Sequence, residues 1–466
     1  METQNKSFFQ NPSTQITLKL ALIVILVLFL LIPKVLIMEL VEERRQLSQS
    51  VIDEVSSGWS NDQIITGPVL VIPYHEMVPQ ADLTKPNITV KKNLLIYPEI
   101  LDTEGTIDTE SKYRSLYKVL LYRSSMDIKG SFVIPDHNLI NISQQDLLYQ
   151  EAYIAVGITD PKGIENNIDF KWSDQPFSLS PGMVDVHFKL EENNTPDRRL
   201  NYELPDGNYN RGFKTGLHTK IPVTAERNNY TFSYNLDIKG SKSLMFAPIA
   251  KATSVHLSSS FADPVFSGGF LPEHKTDSKG FDARWNILEY NKTLPPFQKE
   301  VSEIDLGKNV FGVKIQQMID NYTTTYRAVK YMILFVALTF LVVFLTEIVQ
   351  RLRIHIFQYT LIGLALAIFF TLLLSISEFW GFDRAYISAA TATIGLIYLY
   401  SLGMFRSSKS SLTLLGLLVG LFGYIYLIIQ LEKMALLAGS LGLFVIIAAT
   451  MYVTRKIKWF EGGETF

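Results

Sequence analysis

The chain has 466 residues, 47% of them hydrophobic, and a formal net charge of −2. Because no basic cluster or tail accompanies that charge, the composition excludes a typical nucleic-acid-binding protein. The absence of cysteine excludes disulfide bonds, thiolate metal ligands and cysteine nucleophiles. A domain in this chain must therefore be stabilised by its hydrophobic core, and the chain is long enough to form one.

The first apolar segment, residues 16–38, predicts a transmembrane anchor helix. Its uninterrupted run Leu20–Ile32 is short, as in a signal peptide, but it continues as PKVLIMELVEERRQ without the small residues of a cleavage site. Apolar residues then recur at helical spacing from Leu40 to Val55, where the sequence SSG follows. We predict an uncleaved anchor whose helix continues beyond the membrane.

The last third of the chain is apolar and nearly free of charge, and it divides into five segments of about 20 residues, the length that a bilayer requires. The predicted spans are 330–349, 356–376, 385–404, 411–430 and 434–453. With the anchor they make six transmembrane helices. A short N-terminus (1–15) and a tail (454–466) lie at the two ends, and residues 39–329 form a separate domain between helix 1 and helix 2.

Lysine and arginine predict the orientation, because they concentrate in the cytoplasmic loops of membrane proteins. Residues that a six-span chain places on one side are Lys6, Lys19, Arg351, Arg353, Arg406, Lys409, Arg455, Lys456 and Lys458. The short loops on the other side, SEFWGFDR and QLEK, carry one basic residue each and are balanced by acids. We therefore expect a multi-pass membrane protein with both termini in the cytoplasm and domain 39–329 outside.

Domain 39–329 has the alternating pattern of β-strands. In YTFSYNLDI (230–238) every second residue is apolar, which predicts a half-buried strand. Further strands are predicted at Val69–Tyr74, Asn93–Tyr97, Tyr113–Tyr122, Glu151–Ile158, Val184–Leu190, Ser254–Leu257 and Phe281–Tyr290. The fold class is thus an α+β membrane protein, in which a large β-rich domain forms a sandwich-like or curved antiparallel sheet.

Two similar segments, MDIKGS (126–131) and LDIKGS (236–241), each come at the end of a predicted strand. They indicate either an internal duplication of a β-unit or a common strand-to-turn composition. Their separation of 110 residues is far beyond the repeat length of a solenoid.

Several long segments resemble the CreD (Cet) family of bacterial inner-membrane proteins. The segments are ITGPVLVIPYHE (65–76), YNLDIKGSKSLMFAPIAKATSVHLSSSFADPVFSGGFLPE (234–273), YRAVKYMILFVALTFLVVFLTE (326–347) and QYTLIGLALAIFFTLLLSISEFWGFDRAYISAATATIGLIYLY (358–400). The resemblance implies a protein of the bacterial inner membrane that supports envelope integrity under control of the Cre two-component system, with colicin tolerance when in excess. It implies no biochemical activity, no catalytic residue and no cofactor.

The residues themselves offer little catalytic chemistry. His75 and Glu76 are neighbours on a predicted strand, where successive side chains point to opposite faces, so a metal site there is disfavoured. Ser407, Ser408 and Lys409 form a serine–lysine pair in a predicted solvated turn, which leaves a membrane-embedded hydrolase as a weak alternative. We expect no enzyme, no metal and no cofactor.

The charged turn FLTEIVQRLRIHIF (344–357) holds the candidate functional residues Glu347, Arg351 and Arg353. A carboxylate inside a span is costly and is therefore a functional candidate. Glu347 also precedes Arg351 by four residues, the favourable order for a helical ion pair at a hydrated boundary. Both interpretations stay open at this point.

Small residues at helix-packing spacing occur in the last two spans, at Gly416 and Gly420 and at Ala438 and Gly442. They predict close helix packing, within the bundle or between copies in a homo-oligomer.

The favoured function is a non-enzymatic envelope protein whose outer domain binds an envelope protein, a lipid or the cell wall. The alternative is a transporter of small solutes or lipid-linked molecules that uses the helix bundle and Glu347.

Overall fold

The computed structural model describes residues 12–80, 87–190, 202–203, 209–210, 212–300, 303–315, 320–350, 352–405, 407–431 and 434–455. The chain divides into two units, a helical unit (1–50 and 318–466) and a sheet unit (51–317). The helices are α1 (Pro12–Phe29), α2 (Leu31–Trp59), α3 (His137–Ile140), α4 (Asp320–Lys330), α5 (Met332–Val349), α6 (Ile356–Trp380), α7 (Phe382–Phe405), α8 (Ser408–Gln430) and α9 (Ala435–Thr454).

Five helical segments of the described chain are long and apolar enough to cross a membrane: 17–59, α5, α6, α7 and α8. The segment 17–59 joins α1 and α2, because the Leu30 amide still donates to the Leu26 carbonyl (3.0 Å). α9 is apolar and covers the range of the last predicted span, although its described core, 437–452, is shorter. The total of six transmembrane helices therefore stays a prediction.

An aromatic cluster lies at the centre of the helical unit. Phe335 of α5 and Phe369 of α6 contact Phe422 of α8, with ring centroids 4.7 and 5.0 Å apart. The Tyr386 hydroxyl of α7 donates to the Phe422 carbonyl (2.8 Å), so the only polar atom of that ring is satisfied. By contrast, the outward side chains Leu396 and Leu399 are 59% and 68% exposed. An apolar exterior around a packed aromatic interior is typical of a helix bundle in lipid.

The strands of the sheet unit are β1 (Gln63–Val78), β2 (Ile88–Ile96), β3 (Ile100–Arg114), β4 (Tyr117–Val133), β5 (Tyr153–Ile158), β6 (Asp169–Trp172), β7 (Gln175–Ser178), β8 (Ser180–Pro181), β9 (His187–Lys189), β10 (Tyr202–Glu203), β11 (Tyr209–Asn210), β12 (Gly212–Phe213), β13 (Gly216–Lys220), β14 (Asn229–Phe246), β15 (Ala252–Ser259), β16 (Val265–Gly268), β17 (Glu273–Asp277), β18 (Gly280–Leu288), β19 (Phe297–Lys299), β20 (Glu303–Asp305) and β21 (Phe311–Ile315). The principal sheet runs β17-β18-β15-β3-β4-β14-β1-β5-β13-β8. The large sheet-rich unit and the apolar helices confirm the α+β fold class.

The sheet is mixed rather than purely antiparallel, which corrects the prediction. β1 pairs in parallel with β14, and β15 pairs in parallel with β3. β1 is buried along its first twelve residues, so its run QIITGPVLVIPY is apolar without alternation, as in strands covered on both faces. β14 instead alternates, with Tyr230, Phe232 and Tyr234 buried as predicted.

One predicted strand is wrong. Tyr113–Tyr122 is not one strand, because the chain reverses at Ser115 and Leu116 between β3 and β4. Ser115 has a φ of 55°, a left-handed conformation that is uncommon for serine. Since no glycine or proline marks this turn, the continuous polar–apolar pattern concealed it.

The two DIKGS segments do not close strands, contrary to expectation. They lie inside β4 and β14, which are antiparallel neighbours, with Met126 directly opposite Leu236. The two copies begin at this pair and run in opposite directions along the sheet. They are therefore related by a local two-fold axis. The first residue of each copy, Met126 or Leu236, is apolar and lies beside that axis.

Candidate functional site

Glu347 is buried in the helical unit and has a complete set of partners. The residue is 7% exposed. One carboxylate oxygen, Oε1, accepts hydrogen bonds from the Lys19 ammonium and from the Ile354 amide (3.0 Å). The other oxygen, Oε2, accepts from the Tyr359 hydroxyl (2.9 Å). The charge is thus neutralised and both oxygens are occupied, as a buried carboxylate requires.

Four segments of chain meet at this cluster, which we call the Glu347 cluster (Lys19, Glu347, Ile354 and Tyr359). Glu347 lies on the last turn of α5, and Tyr359 on the first turn of α6. Between them residues 352–355 are non-helical, so the Ile354 amide and carbonyl are free to bond side chains. The Ile354 carbonyl accepts from Lys19 of α1 (2.6 Å). The cluster therefore fastens α1 to the connection between α5 and α6.

The described partner of Glu347 is Lys19 and not the arginine that local spacing suggested. Arg351 lies outside the described residues, so its pairing with Glu347 stays a prediction. Arg353 is described and exposed, and it precedes Ile354 of the cluster in sequence. Lys19 is 328 residues away from Glu347. No local pattern in the sequence connects the two residues; only their opposite charges in apolar surroundings could have suggested the pair.

The described hydroxyls of Ser388 and Thr391 on α7 do not continue the Glu347 cluster as a chain of polar contacts. The hydroxyls of Ser388 and Thr391 donate to carbonyls of their own helix, at Arg384 and Ile387 (both 2.7 Å). Such bonds satisfy a hydroxyl within its own helix. Chemically, the Glu347 cluster can hold three helices together, and it could exchange a proton only after one of its hydrogen bonds opened.

The predicted small-residue pairs occupy two different environments. A Cβ atom added at Gly416 or Gly420 would meet no atom within 4 Å, whereas at Gly442 it would lie 1.7 Å from the Tyr424 hydroxyl oxygen. That hydroxyl donates to the Ala438 carbonyl (2.7 Å), so the small residues of α9 receive a tyrosine of α8. For Gly416 and Gly420, helix packing stays a prediction that would need another molecule.

A glycine that sequence reasoning missed makes the closest helix contact near the Glu347 cluster. A Cβ at Gly363 of α6 would lie 2.4 Å from the Leu30 side chain and 2.9 Å from the Phe340 ring. Ala367 lies four residues after Gly363, the same small-residue spacing that marked Ala438 and Gly442, so the spacing rule could have found this contact.

Sequence reasoning also missed the short helix α4, which contacts the end of α6 and the start of α7. α4 carries Tyr322, whose hydroxyl donates to Glu378 (3.1 Å), and Asn321, whose side-chain oxygen accepts from the Phe382 amide (3.2 Å). Asp383 accepts from Tyr426 and Gln430 (2.9 and 2.6 Å). Glu378 and Asp383 thus each bond to a neighbouring helix.

In the sheet unit, Glu76, the neighbour of His75 on β1, forms an ion pair with a lysine. Among the described residues, no group of three histidine, aspartate or glutamate side chains could hold a metal ion. Glu76 instead pairs with Lys92, which also pairs with Glu300 (3.0 Å). The hydrogen bond from Lys92 lowers the pKa of the Glu76 carboxyl below its ordinary value of 4.5.

Replacing Lys92 by methionine is expected to make the melting temperature depend less on pH under acidic conditions. Because the folded-state pKa of Glu76 is depressed, its contribution is present above pH 4.5 and is lost as the pH falls through the folded pKa. The variant lacks that contribution, so its melting temperature should change less with pH. Thermal unfolding of the purified protein between about pH 6 and about pH 3 measures this, with Lys118→Met as control. Parallel pH curves for the two variants would contradict the prediction.

The predicted serine–lysine pair does not lie in a loop. Ser408 and Lys409 begin α8, and both are exposed. Two residues later the Ser410 hydroxyl donates to the Gln350 side chain (2.6 Å), which joins α8 to the end of α5. The described bond between side chains at this helix start therefore joins two helices. No described bond joins Lys409 to a serine hydroxyl.

The outer face of the sheet carries an apolar strip (Ile100, Ala252 and Leu288). Ala252 of β15 pairs with Ile100 of β3 on one side and with Leu288 of β18 on the other, so the three residues form one row. Ile100 is 51% and Leu288 is 54% exposed. Tyr290, just beyond Leu288, is 87% exposed. Most neighbouring positions on this face are polar, so the strip is an exposed apolar patch of the kind that contacts partners.

A hollow of about 360 Å³ adjoins the strip, because Ile100 lines both. Its other walls carry Lys129 of β4, Lys171 of β6 and the hydroxyls of Ser131 and Thr231. The Lys129 ammonium lies 3.4 Å from the carboxylate of Asp102. The strip and hollow together offer an apolar contact beside ammonium groups, hydroxyl donors and the Asp174 carboxylate. No spacing of residues predicts this site, because it depends on strand order.

The comparisons with known proteins point to a family of inner membrane proteins. A sequence model of the family described as "Inner membrane protein CreD" matches residues 15–460. The inner membrane protein CreD of Escherichia coli (strain K12) is 27% identical over 442 residues, which cover 93% of this chain and 91% of that protein. Both descriptions name a membrane protein and no enzymatic activity. The chain therefore belongs to the CreD family of inner membrane proteins.

Proposed function

We propose that this protein is a non-enzymatic component of the bacterial cell envelope, whose sheet unit lies outside the cytoplasm and binds a partner there. The partner has an apolar group beside an anionic one. The observation that carries the proposal is the apolar strip next to the lysine-lined hollow. A contiguous exposed apolar patch with a polar rim is a candidate binding surface.

Support for the position of the sheet unit comes from charge. Most basic residues of the short connections fall on one side of the predicted spans, which supports a cytoplasmic position for both termini. Among the described residues of these connections, Arg353 and Lys409 are exposed. With that orientation the strip faces the compartment in which envelope proteins, lipid headgroups and the cell wall are available.

Photocrosslinking in intact cells tests the proposal. A photoreactive amino acid at Ser131 or Ser254, beside the strip, should capture a discrete partner, whereas one at Lys275 on the edge strand β17 should not. Adding Ile100→Glu should reduce capture about tenfold, the effect of losing about 1.4 kcal/mol of binding. Leu139→Glu, at another exposed apolar residue (71%), is the matched control.

Identification of the captured species distinguishes a protein from a lipid or a cell-wall fragment. If the probes beside the strip capture nothing more than the probe at Lys275, the proposal is wrong. Capture that Ile100→Glu leaves unchanged would also contradict it, because the strip would then play no part in binding.

A second candidate, transport of a small solute or lipid-linked molecule through the helical unit, is favoured by one observation, the burial of the Glu347 carboxylate. Proton- or ion-coupled transport would need that carboxylate to change its charge. If Glu347→Gln restores envelope function in a deletion strain as well as the unaltered chain does, this version of transport is excluded.

A further inference from the structure

A deep groove of about 770 Å³ lies between α5, α8 and α9. Its walls are almost entirely apolar, with residues such as Leu341, Leu345, Leu417 and Val445 facing the space. Gly420 and Gly442 also line it. Because the Cβ position of Gly420 is open, that glycine leaves room in the groove rather than contact with a neighbouring helix.

The polar lining residues of the groove concentrate at one end, although Thr339 and Tyr424 also line it elsewhere. Gln350 and Thr346 of α5, Thr413 of α8 and Thr450 of α9 line that end. The bond between Ser410 and Gln350 shows that the end of α5 meets the start of α8 there. From Thr413 to Leu431 the groove follows α8 for about 27 Å at a rise of about 1.5 Å per residue. That length approaches the hydrocarbon thickness of a bilayer, about 30 Å.

Basic side chains flank the polar end. Lys409 lies one helical turn before Thr413, whose hydroxyl donates to the Lys409 carbonyl (3.0 Å), and it is exposed. Arg455 directly follows α9, is exposed and lies over the Tyr452 ring (5.5 Å). The nearest acidic residue in this part of α5, Glu347, is already paired with Lys19. A ligand at this end therefore meets positive charge.

The lining and charge of the groove favour a lipid as its occupant. Its apolar walls suit an acyl chain, and the exposed Lys409 and Arg455 near its polar end suit a phosphate. We propose that the groove holds an acyl chain of an anionic phospholipid, with its phosphate at the Gln350–Thr413 end near Lys409 and Arg455.

The full chain in vesicles tests this assignment. The vesicles contain phosphatidylcholine and a phosphatidylglycerol probe with a photoreactive diazirine in its acyl chain. Mass spectrometry should find the label on groove residues such as Val342, Leu345 and Ile446. Gly420→Phe should reduce that labelling about tenfold, as expected if the ring displaces about two methylene groups. Gly416→Phe, one turn away and outside the groove lining, should leave it unchanged.

Charge at the polar end is tested separately. Lys409→Gln should lower the preference for phosphatidylglycerol over a phosphatidylcholine probe about fivefold, because one lysine near a membrane surface contributes about that factor. The melting temperatures of Gly420→Phe and Gly416→Phe should agree, which shows that α9 stays in place.

Three results would overturn the proposal. Labelling equal to that of outward residues such as Leu396 and Leu399 would show bulk lipid only. Unchanged labelling in Gly420→Phe, with matching melting temperatures, would place the chain outside the groove. Cross-links between two copies from a photoreactive residue at Leu417 would assign the groove to self-association.

Discussion

Replacing Glu347 by alanine is expected to lower the free energy of unfolding of the helical unit by about 3 kcal/mol. The Lys19 side chain is only 24% exposed, so the variant leaves an ammonium group without its counter-ion in apolar surroundings. The Ile354 amide and the Tyr359 hydroxyl lose an acceptor at the same time. The loss is therefore larger than for a single hydrogen bond, which contributes about 1 kcal/mol.

Unfolding of the purified protein in mixed detergent micelles measures this loss. Tyr359→Phe, which removes one hydrogen bond and no charge, should cost about 1 kcal/mol. The double variant Lys19→Met/Glu347→Leu should recover most of the loss, because apolar residues of similar size often replace a buried ion pair at little cost. A loss in Glu347→Ala no larger than in Tyr359→Phe would show that the pair with Lys19 does not stabilise the unit.

The Glu347 cluster shows what the sequence could and could not predict. Length and polarity located the end of the span and marked Glu347 as unusual, because a carboxylate beside apolar residues is costly. The search for a partner then used helical spacing, which only reaches residues three or four positions away. Lys19 meets Glu347 through the packing of α1 against α5 and α6, and such packing depends on the whole bundle. Residue spacing carries no signal for it.

The sheet unit shows the same division between local and distant information. Alternation identified the strand in β14 and its buried face, because side chains of a strand alternate between two faces. It did not reveal the parallel pairing of β15 with β3, which creates the apolar strip. It also missed turns in which serine or aspartate takes the left-handed conformation usually supplied by glycine, at Ser115, Ser173 and Asp174.

The turn at Ser173 and Asp174 leads to the second large effect, at Trp172. This residue is 1% exposed and stacks on Tyr230, with ring centroids 5.1 Å apart and planes at 16°. Its indole N–H donates to the Pro222 carbonyl (3.1 Å). Trp172→Ala should lower the free energy of unfolding of the sheet unit by about 4 kcal/mol, as for other fully buried tryptophans.

The same variant should also remove one wall of the hollow. The β6–β7 hairpin supplies Lys171 and Asp174 to that wall. Its strand pairing with β14 is short, Trp172 with Phe232 and Lys171 with Ser233, and the Ser173 amide also donates to the Thr231 carbonyl (2.8 Å). Without the indole, we expect amide hydrogen exchange in the hairpin to rise towards that of an open peptide, while β3 and β4 stay protected.

Hydrogen-exchange mass spectrometry and crosslinking from Ser131 measure the two consequences together. Trp380→Ala, at a residue that is 61% exposed, is the control and should change neither. If the hairpin of Trp172→Ala stays protected, the indole does not hold it. If the hairpin opens while capture from Ser131 continues unchanged, Lys171 is not part of the binding surface, and the partner is recognised by the apolar strip alone.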